Sequence, residues 1–390
     1  MKRVAVVTGT RAEYGLLRPL ISAIREDKSL DLKLLVTGMH LIPEFGNTYR
    51  EIESDGFTID AKIEDGWDGD SAKSITKSVG RALKGFAEVF DQLKPDLLVL
   101  LGDRTEILAA ATAATIANIP IAHLHGGETT EGAYDEFIRH AITKMSHFHF
   151  ASTQLYKDRI IQMGEHPQRV FNVGAIGVDS IKRLKLMSKN QLEESLGTKL
   201  KDKSALITFH PVTTENLTAE RQFNQLLMAL DDLKGYTLIF TKANSDKGGA
   251  IINKMIEDYV DSNRSKALGF ASLGQLRYLS SLQYVDFVIG NSSSGILEVP
   301  YFEKPTINIG DRQKGRIMSD SIINCIPVYS DIKIAIKKAQ SKEFLSSIPH
   351  QDKIYGNGDT TSKIINILRN LDLSKIQKPF YDLNHKHEVN

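Results

Sequence analysis

The densest group of titratable side chains lies in HLHGGETTEGAYDEFIRH, the stretch from His123 to His140. It combines three histidines, four carboxylates and one arginine around a Gly-Gly pair. This composition is too polar for a hydrophobic core, and side chains of these types bind metal ions or transfer protons. Three interpretations are open from this stretch alone: a metal site, an acid–base site, and an ordinary polar loop.

The metal interpretation uses His123 and His125, which alternate along a predicted strand and are therefore expected to share a face. Asp103 or Glu128 would complete the ligand set. The Gly-Asp and Gly-Asn dipeptides of metallophosphoesterases both occur, but the amino-terminal Asp-x-His of that class does not, and GNSSSG lacks its histidine. The one cysteine, Cys325, excludes a cysteine-based cluster. We therefore expect no metal.

The acid–base interpretation needs titratable groups gathered where a substrate binds. Asp135, Glu136 and Arg139 begin a predicted helix just after the loop, which directs their side chains toward the end of the preceding strand. Asp103 and Arg104 follow another apolar strand in GDRTE, although an aspartate there could also serve as a helix N-cap. A second histidine pair, in HFHF, is expected to be buried in a strand.

The elements that position these residues repeat a strand–helix rhythm. The predicted strands of the first half are RVAVVT, DLKLLVTG, FTIDAKI, DLLVLLG, PIAHL, HFHFAS and VFNVG, with helical periodicity between them. A lysine-rich stretch between about residues 178 and 203 interrupts the rhythm, which restarts with ALITFHP, YTLIFTK, SKALGF, YVDFVIG and PTINIG. Apolar strands alternating with helices predict parallel sheets covered on both faces.

The fold class is therefore α/β, with two Rossmann-like domains facing across a cleft. We expect a first domain over residues 1–180, a second over residues 181–361, and a carboxy-terminal helix and tail over residues 362–390 that packs back on the first domain.

Ligands of such sheets bind beyond the carboxyl ends of the strands, where polar loops recur in this chain. GTRAEYG offers backbone amides and an arginine, and GNSSSGILEVP offers hydroxyls at the start of a helix, both of which suit a diphosphate. Glu298 is placed to accept from ribose hydroxyls, and Tyr278 to stack on a base. The predicted substrate-binding residues are Arg11, Arg104, His210, Asn244, Tyr278, Ser292, Ser293, Glu298, Arg312 and Arg316. Together they predict a binder of a sugar nucleotide.

The charge balance says which partners not to expect. The 49 basic and 48 acidic residues leave a formal net charge of +1, so we expect neither nucleic acid nor a membrane as partner. No secretory signal and no apolar run of about 18 residues is visible, and the scarcity of cysteine fits the cytoplasm.

Collinear motifs over about residues 3–370 give the chain a resemblance to a known family. TGTRAEYG, LGDR, HLHGGE, DEFIRHAITKMSH, HPVTT and GNSSSGILE resemble the hydrolysing UDP-N-acetylglucosamine 2-epimerases of sialic acid biosynthesis. The resemblance implies a glycosyltransferase-B architecture, a homodimer or homotetramer, and no cofactor. It also implies conversion of UDP-N-acetylglucosamine to N-acetylmannosamine and UDP through a 2-acetamidoglycal. Relatives in this family act on UDP-N,N'-diacetylbacillosamine in legionaminic acid synthesis.

The resemblance also implies roles for single residues. Asp103 and Asp135 match the catalytic aspartates, and Arg139 the arginine that follows four residues after the second. The UDP-contacting positions of the family are matched by Arg11, His210, Asn244, Ser292, Ser293, Glu298 and Arg312, and its uracil-stacking aromatic by Tyr278.

One position departs from the family pattern. Where the family has HIEGGE, with a catalytic glutamate third, this chain has HLHGGE, with His125 in that place and Glu128 three residues later. His125 or Glu128 then does the work of the glutamate, or the exchange marks a different sugar such as the bacillosamine derivative. Outside the epimerases, a UDP-sugar transferase of the same architecture and a non-catalytic sugar-nucleotide sensor remain alternatives, the sensor being disfavoured because both aspartates are present.

Overall fold

The computed structural model describes residues 1–69, 71–129, 134–211, 219–243, 249–350, 353–374 and 376–383. The chain divides into two compact units. The first combines Met1–Ser180 with Tyr355–Asn390, and the second is Ile181–Ile354. Among the described residues, no helix has both the length and the apolar character that crossing a membrane would require.

The first unit is built on a parallel sheet of seven strands in the order β3-β2-β1-β4-β5-β6-β7. Its strands are β1 (Lys2–Thr8), β2 (Leu30–Thr37), β3 (Ala61–Ile63), β4 (Leu97–Leu101), β5 (Ile121–Leu124), β6 (Phe148–Ala151) and β7 (Val170–Asn172). Its helices are α1 (Arg11–Glu26), α2 (Tyr49–Ser54), α3 (Ala72–Leu93), α4 (Thr105–Ile116), α5 (Asp135–Met145), α6 (Gln154–Gln162) and α7 (Ile176–Arg183), the last of which runs into the second unit. Each strand coincides with a segment that the sequence predicts, although β1 and β2 begin one residue earlier than predicted.

Alternation along the central strand explains the layers. In β1, Val4 and Val6 pack with α1 on one face of the sheet, whereas Ala5 and Val7 pack with α3 and α4 on the other. All four are fully buried, as expected of a parallel strand that is covered on both faces.

The second unit has a parallel sheet of six strands in the order β10-β9-β8-β11-β12-β13. The strands are β8 (Lys203–Thr208), β9 (Tyr236–Thr241), β10 (Ala267–Phe270), β11 (Phe287–Gly290), β12 (Thr306–Ile309) and β13 (Ile322–Cys325). Its helices are α8 (Lys189–Leu196), α9 (Ala219–Asp231), α10 (Gly249–Ser262), α11 (Gly274–Tyr284), α12 (Ser294–Leu297), α13 (Tyr329–Ala339) and α14 (Lys342–Ser347). The apolar pattern does not predict β13, an edge strand in which Asn324 is exposed and interrupts the apolar run.

The chain returns to the first unit at Tyr355, ahead of residue 362, where we expected the return to begin. The Tyr355 carbonyl accepts the amide of Ala175 at 2.8 Å. Asp179 of α7 accepts the amides of Thr360 and Thr361, the first residues of the final helix α15 (Thr360–Asn370). This helix then buries Leu368 in the same core cluster as α1.

A buried cluster of charged side chains lies at the carboxyl end of α5. Glu165 accepts from Lys144 of α5, from His149 of β6 and from Lys378 of the carboxy-terminal tail, with N–O distances of 2.5, 3.0 and 2.8 Å. His149 is fully buried in β6, as predicted for HFHF, whereas His147 precedes the strand and is only half-buried. Burial raises the pKa of Glu165, but the hydrogen bonds from His149, Lys144 and Lys378 outweigh it and hold that pKa at about 2.

We predict that Glu165→Gln lowers the free energy of unfolding at pH 7 by on the order of 2 kcal/mol, because charge-assisted hydrogen bonds to two lysines are lost. The folded pKa lies below the unfolded value of about 4.3, so the carboxylate stabilises the protein above that pH and ceases to do so as pH falls toward 2. Urea titrations between pH 7 and 3 should therefore show a flatter acid limb for the variant than for the wild type. Glu257→Gln, at an exposed ion pair, is the control, and equal acid limbs in all three proteins would contradict the prediction.

Candidate active site

The carboxyl ends of β4 and β5 and the start of α5 bring the predicted acid–base residues together. Gly102 turns the chain after β4 with a φ of +73°, and Asp103 follows it. The guanidinium of Arg139 donates to the Asp103 carboxylate, and Arg139 is buried. Asp135 is the first residue of α5, one helical turn before Arg139, as the sequence predicts.

Asp135 lies in the field of this ion pair. Burial raises its pKa, the negative charge of Asp103 raises it further, and Arg104 and Arg139 offset part of the rise. Asp103 is held by a guanidinium, whereas Asp135 has an increased affinity for a proton. The two carboxylates are therefore in different electrostatic states, as an acid–base site requires.

His123 lies on β5 and links the end of β4 to α5. Because its ring nitrogens face protein groups, it is not free to exchange a proton with a substrate. Its Nε2 donates to the Gly102 carbonyl at 2.7 Å, and its Nδ1 lies 3.3 Å from the Thr143 hydroxyl of α5. Burial lowers its pKa to about 3, so the imidazole is neutral at physiological pH. A Cβ at Gly126 would lie 2.9 Å from both His123 Nδ1 and Thr143 Oγ1, which explains the glycine.

His125 lies beyond the last residue of β5, with a left-handed φ of +63°. Its Nδ1 donates to Glu128 Oε1 at 3.0 Å, and its Nε2 accepts the amide of Ile176, at the start of α7, at 3.3 Å. The expectation that His123 and His125 share a face of one strand is wrong, because the left-handed residue ends the strand and the two rings bind different groups.

The two residues proposed to replace the family glutamate thus form one pair. Glu128 is buried, and the same oxygen that binds His125 also accepts the Ser152 hydroxyl at 2.7 Å. Both ring nitrogens of His125 have protein partners, so any proton transfer by His125 must exchange one of these hydrogen bonds for a bond to substrate.

The two predicted substrate-binding arginines of the first unit each have a carboxylate partner. Arg104 precedes α4 and donates from Nε to Glu106 Oε1 at 2.6 Å, with about half of its side chain exposed. Arg11, the first residue of α1, is exposed and donates to Glu51 at 2.7 Å.

In the second unit, Asn291 ties together the ends of β8 and β11. Its side chain accepts the amide of His210 at 2.7 Å and donates to the His210 carbonyl at 2.8 Å. Its own carbonyl accepts from Arg312 at 3.0 Å and from Gln313 at 2.9 Å. Burial, together with the charge of Arg312, lowers the pKa of His210 to about 4. A neutral imidazole and a guanidinium are thereby held at one sheet edge, where an anion would be attracted.

A second polar group follows β11. The Ser294 hydroxyl lies 2.6 Å from the Tyr278 hydroxyl and also donates to Glu298. Burial raises the pKa of Glu298 and that of Tyr278. Ser292 and Ser293 precede α12, which is a single turn continued by a 3-10 helix over Val299–Phe302. The helix expected after GNSSSG is therefore much shorter than a full amphipathic helix.

The two remaining predicted substrate-binding residues are Arg316 and Asn244. Arg316 lines a cavity of about 540 Å³ beyond β12 and β13, together with Asn308 and Lys314. Asn244 lies outside the described residues. Within the described ranges, no cluster of three or more His, Cys, Asp or Glu side chains is arranged to hold a metal ion.

The sequence pattern does not distinguish Glu106, Ser152 or Gln313 as part of this site. Glu106 occupies the first turn of a helix, where an acidic residue is ordinary, and Ser152 follows a strand like many turn serines. Only their hydrogen bonds to Arg104, Glu128 and the Asn291 carbonyl distinguish them.

We predict that His125→Ala lowers the free energy of unfolding by about 1–3 kcal/mol, because a buried carboxylate loses a donor. His125→Asn should lose less, since asparagine tolerates the left-handed backbone and its amide can donate to Glu128. Urea unfolding followed by circular dichroism measures both, with His350→Ala at an exposed position as the control. An alanine variant as stable as the wild type would refute the structural contribution of His125.

Comparison with known proteins assigns the chain to a family. The family model described as UDP-N-acetylglucosamine 2-epimerase matches residues 22–369. The chain is 44% identical to the GDP/UDP-N,N'-diacetylbacillosamine 2-epimerase (hydrolyzing) of Campylobacter jejuni, over 98% of this chain and 99% of that one. It is 36% identical to the UDP-N,N'-diacetylbacillosamine 2-epimerase (hydrolyzing) of Legionella pneumophila, over 96% and 97%.

A solved structure bears on the fold. The crystal structure of UDP-GlcNAc 2-epimerase from Neisseria meningitidis bound to UDP-GlcNAc superposes with a TM-score of 0.80 at 19% identity, over 94% of this chain and 99% of that one. This likeness confirms the glycosyltransferase-B type of fold predicted from the sequence. With a family model that matches most of the chain and relatives that match it nearly end to end, the protein belongs to the UDP-N-acetylglucosamine 2-epimerase family.

Proposed function

We propose that the protein is a hydrolysing 2-epimerase that releases UDP from UDP-N,N'-diacetylbacillosamine and inverts the configuration at C2 of the sugar. The grouping of Asp103, Asp135 and Arg139 at the carboxyl end of β4 carries this proposal, because inversion at C2 needs a group that removes a proton. The names of the Campylobacter and Legionella relatives support the choice of sugar.

The reaction begins with elimination. Cleavage of the bond between C1 and the phosphate oxygen gives C1 oxocarbenium character, which acidifies the hydrogen on C2. Asp135 accepts that proton, and the electron pair of the C2–H bond forms the double bond of a 2-acetamidoglycal while UDP departs. The raised pKa of Asp135 suits this role, since a stronger base shares more of the proton in the transition state.

Hydration completes the reaction. Water adds its hydroxyl to C1, and C2 receives a proton on the face opposite to the one that lost it. In this proposal the hydrogen-bonded pair of His125 and Glu128 takes up the proton that the attacking water releases and delivers it to C2, while Asp135 returns its own proton to solvent. Asp103 keeps Arg139 in place and holds a negative charge near the oxocarbenium carbon, which stabilises it.

The second unit supplies the nucleotide-binding residues. Arg312 and His210 bind the diphosphate, and the charge that develops on UDP raises the proton affinity of the otherwise neutral His210. Ser292 and Ser293 add hydroxyl donors, Glu298 accepts from the ribose, and the ring of Tyr278 stacks on uracil. Arg11, Arg104, Asn244 and Arg316 complete the proposed substrate contacts.

UDP-N-acetylglucosamine is the second candidate substrate. The description of the family model and the Neisseria complex with UDP-GlcNAc favour it. The two sugars differ at C4 and C6, away from the carbon that is inverted, so the same acid–base groups serve both. A UDP-sugar transferase, by contrast, would need an acceptor to release UDP.

We predict that purified protein incubated in D2O with UDP-N,N'-diacetylbacillosamine releases UDP and a free 2-epimerised sugar that carries deuterium at C2. Parallel reactions with GDP-N,N'-diacetylbacillosamine and with UDP-N-acetylglucosamine, followed by NMR, rank the three compounds by kcat/KM. Faster turnover of UDP-N-acetylglucosamine would favour the second candidate. Retention of the original C2 hydrogen, or UDP release only after an acceptor sugar is added, would rule out the epimerase proposal.

We predict that Asp135→Asn lowers kcat by on the order of 10²–10⁴-fold, because the amide cannot accept the C2 proton. UDP affinity, measured by calorimetry, should stay within about twofold, since most of the proposed UDP contacts lie in the second unit and Asp135 is not one of them. Glu136→Gln, the next residue of the same helix turn, is the matched control. Wild-type turnover in Asp135→Asn would remove this carboxylate from the mechanism.

A further inference from the structure

Glu106 is a buried carboxylate that the proposed reaction does not use. It lies in the first turn of α4, two residues after Arg104, and about 5% of it is exposed. Its Oε1 accepts from Arg104 Nε at 2.6 Å, and its Oε2 lies 3.2 Å from the Thr105 hydroxyl. The carboxylate is therefore held behind the guanidinium rather than presented to solvent.

Two glycines from other strand ends make room for it. A Cβ at Gly9, after β1, would lie 2.3 Å from Glu106 Oε1 and 2.7 Å from its Cγ. A Cβ at Gly38, after β2, would lie 3.1 Å from the same oxygen, and Gly38 has a φ of +58°. The backbone at three neighbouring strand ends thus forms a slot that only glycine permits and that this one carboxylate fills.

A second buried carboxylate shares the slot. Glu13 of α1 is buried and accepts the amide of Gly9 at 2.7 Å, while its other oxygen has no hydrogen-bond partner among the described residues. Burial and the charge of Glu106 raise the pKa of Glu13 to about 8. Near neutral pH, Glu13 therefore retains a proton, and Glu106 is the carboxylate that balances the Arg104 charge.

The guanidinium held in this way is close enough to the acid–base residues to act on them. The charge of Arg104 opposes the rise in the pKa of Asp135, and Arg104 Nη2 also lies 3.6 Å from the Met39 sulfur. With Nε bound to Glu106 and Nη2 beside Met39, the orientation of the guanidinium plane is fixed by residues that do not touch the reacting carbon.

We propose that Glu106 is a positioning residue, which holds the Arg104 guanidinium in the orientation in which it binds substrate beside Asp135. The inference rests on the proposed function, because it assigns Glu106 to the same site. Glu106 acts through Arg104, so its contribution to turnover exists only while Arg104 is present. If Glu106 only filled the slot between the glycines, its replacement would change the stability of the protein to the same extent whether or not Arg104 was present.

The test is a double-mutant cycle on kcat/KM with Glu106→Gln, Arg104→Met and the double variant. We expect Glu106→Gln to lower kcat/KM by on the order of tenfold in the wild-type background and by less than about twofold in the Arg104→Met background. Glu88→Gln, at an exposed ion pair on α3, should leave turnover unchanged. Multiplicative effects of the two substitutions, or wild-type kcat/KM in Glu106→Gln, would overturn the proposal.

Two further measurements keep the outcome decisive. If Glu106→Gln does not fold, Glu106→Asp replaces it in the cycle, because it keeps the charge but withdraws it by one methylene group. If the wild type turns over none of the substrates, the proposed function fails, and the Nε–H NMR signal of Arg104 tests the positioning independently. We expect that proton, identified by its loss in Arg104→Lys, to exchange slowly in the wild type and rapidly in Glu106→Gln; equal exchange in both would show that Glu106 does not hold Arg104.

Discussion

The buried charge of Arg139 is the constraint on which the acid–base site depends. Removing one partner of a buried ion pair typically costs about 3–5 kcal/mol, so the contact between Asp103 and Arg139 stabilises the first unit. That requirement fixes the start of α5 against the end of β4, and Asp135 is placed with it because it lies one turn earlier on the same helix. His123 strengthens the same junction through Gly102 and Thr143. The geometry proposed for catalysis is thus a by-product of satisfying buried polar groups.

The same strand ends hold more carboxylates than guanidinium groups. Arg139 is matched by Asp103 and Arg104 by Glu106, which leaves Glu13 and Asp135 without a full counter-charge. Both of these have raised pKa values. Crowding of negative charge raises the proton affinity of the carboxylates that lack a guanidinium partner, and a carboxylate with a raised proton affinity suits chemistry in which a proton leaves carbon.

The sequence predicts most of the fold because its main signals are local. Short apolar runs separated by helical periodicity locate all seven strands of the first sheet, and the polar residues after them locate Asp103, Asp135 and Arg139. The edge strand β13 escaped because half of it is polar or exposed. The partners of His125 and Glu106 could not be predicted, since a left-handed backbone and a slot between glycines depend on contacts between residues far apart in the chain. The substrate is harder to predict than the fold. At position 125 a histidine stands where the family has glutamate, and both ring nitrogens of His125 bind protein groups, so the exchange does not indicate which sugar is bound.

The return of the chain at Tyr355 has a consequence for biosynthesis. The first unit is discontinuous, because Asp179 and Ala175 hydrogen-bond to Thr360, Thr361 and Tyr355, and the whole second unit is translated between these two segments. While the ribosome makes residues 181–354, α7 therefore lacks the helix that it caps, and His125 is anchored to an α7 that is itself incompletely packed. The second unit can fold as a continuous segment as it emerges, whereas the first can finish only after the carboxy-terminal helix leaves the exit tunnel. The unit that is synthesised first is thus expected to be the last to reach its native state, and a nascent chain stalled near its end would carry a folded second unit and an incomplete first unit.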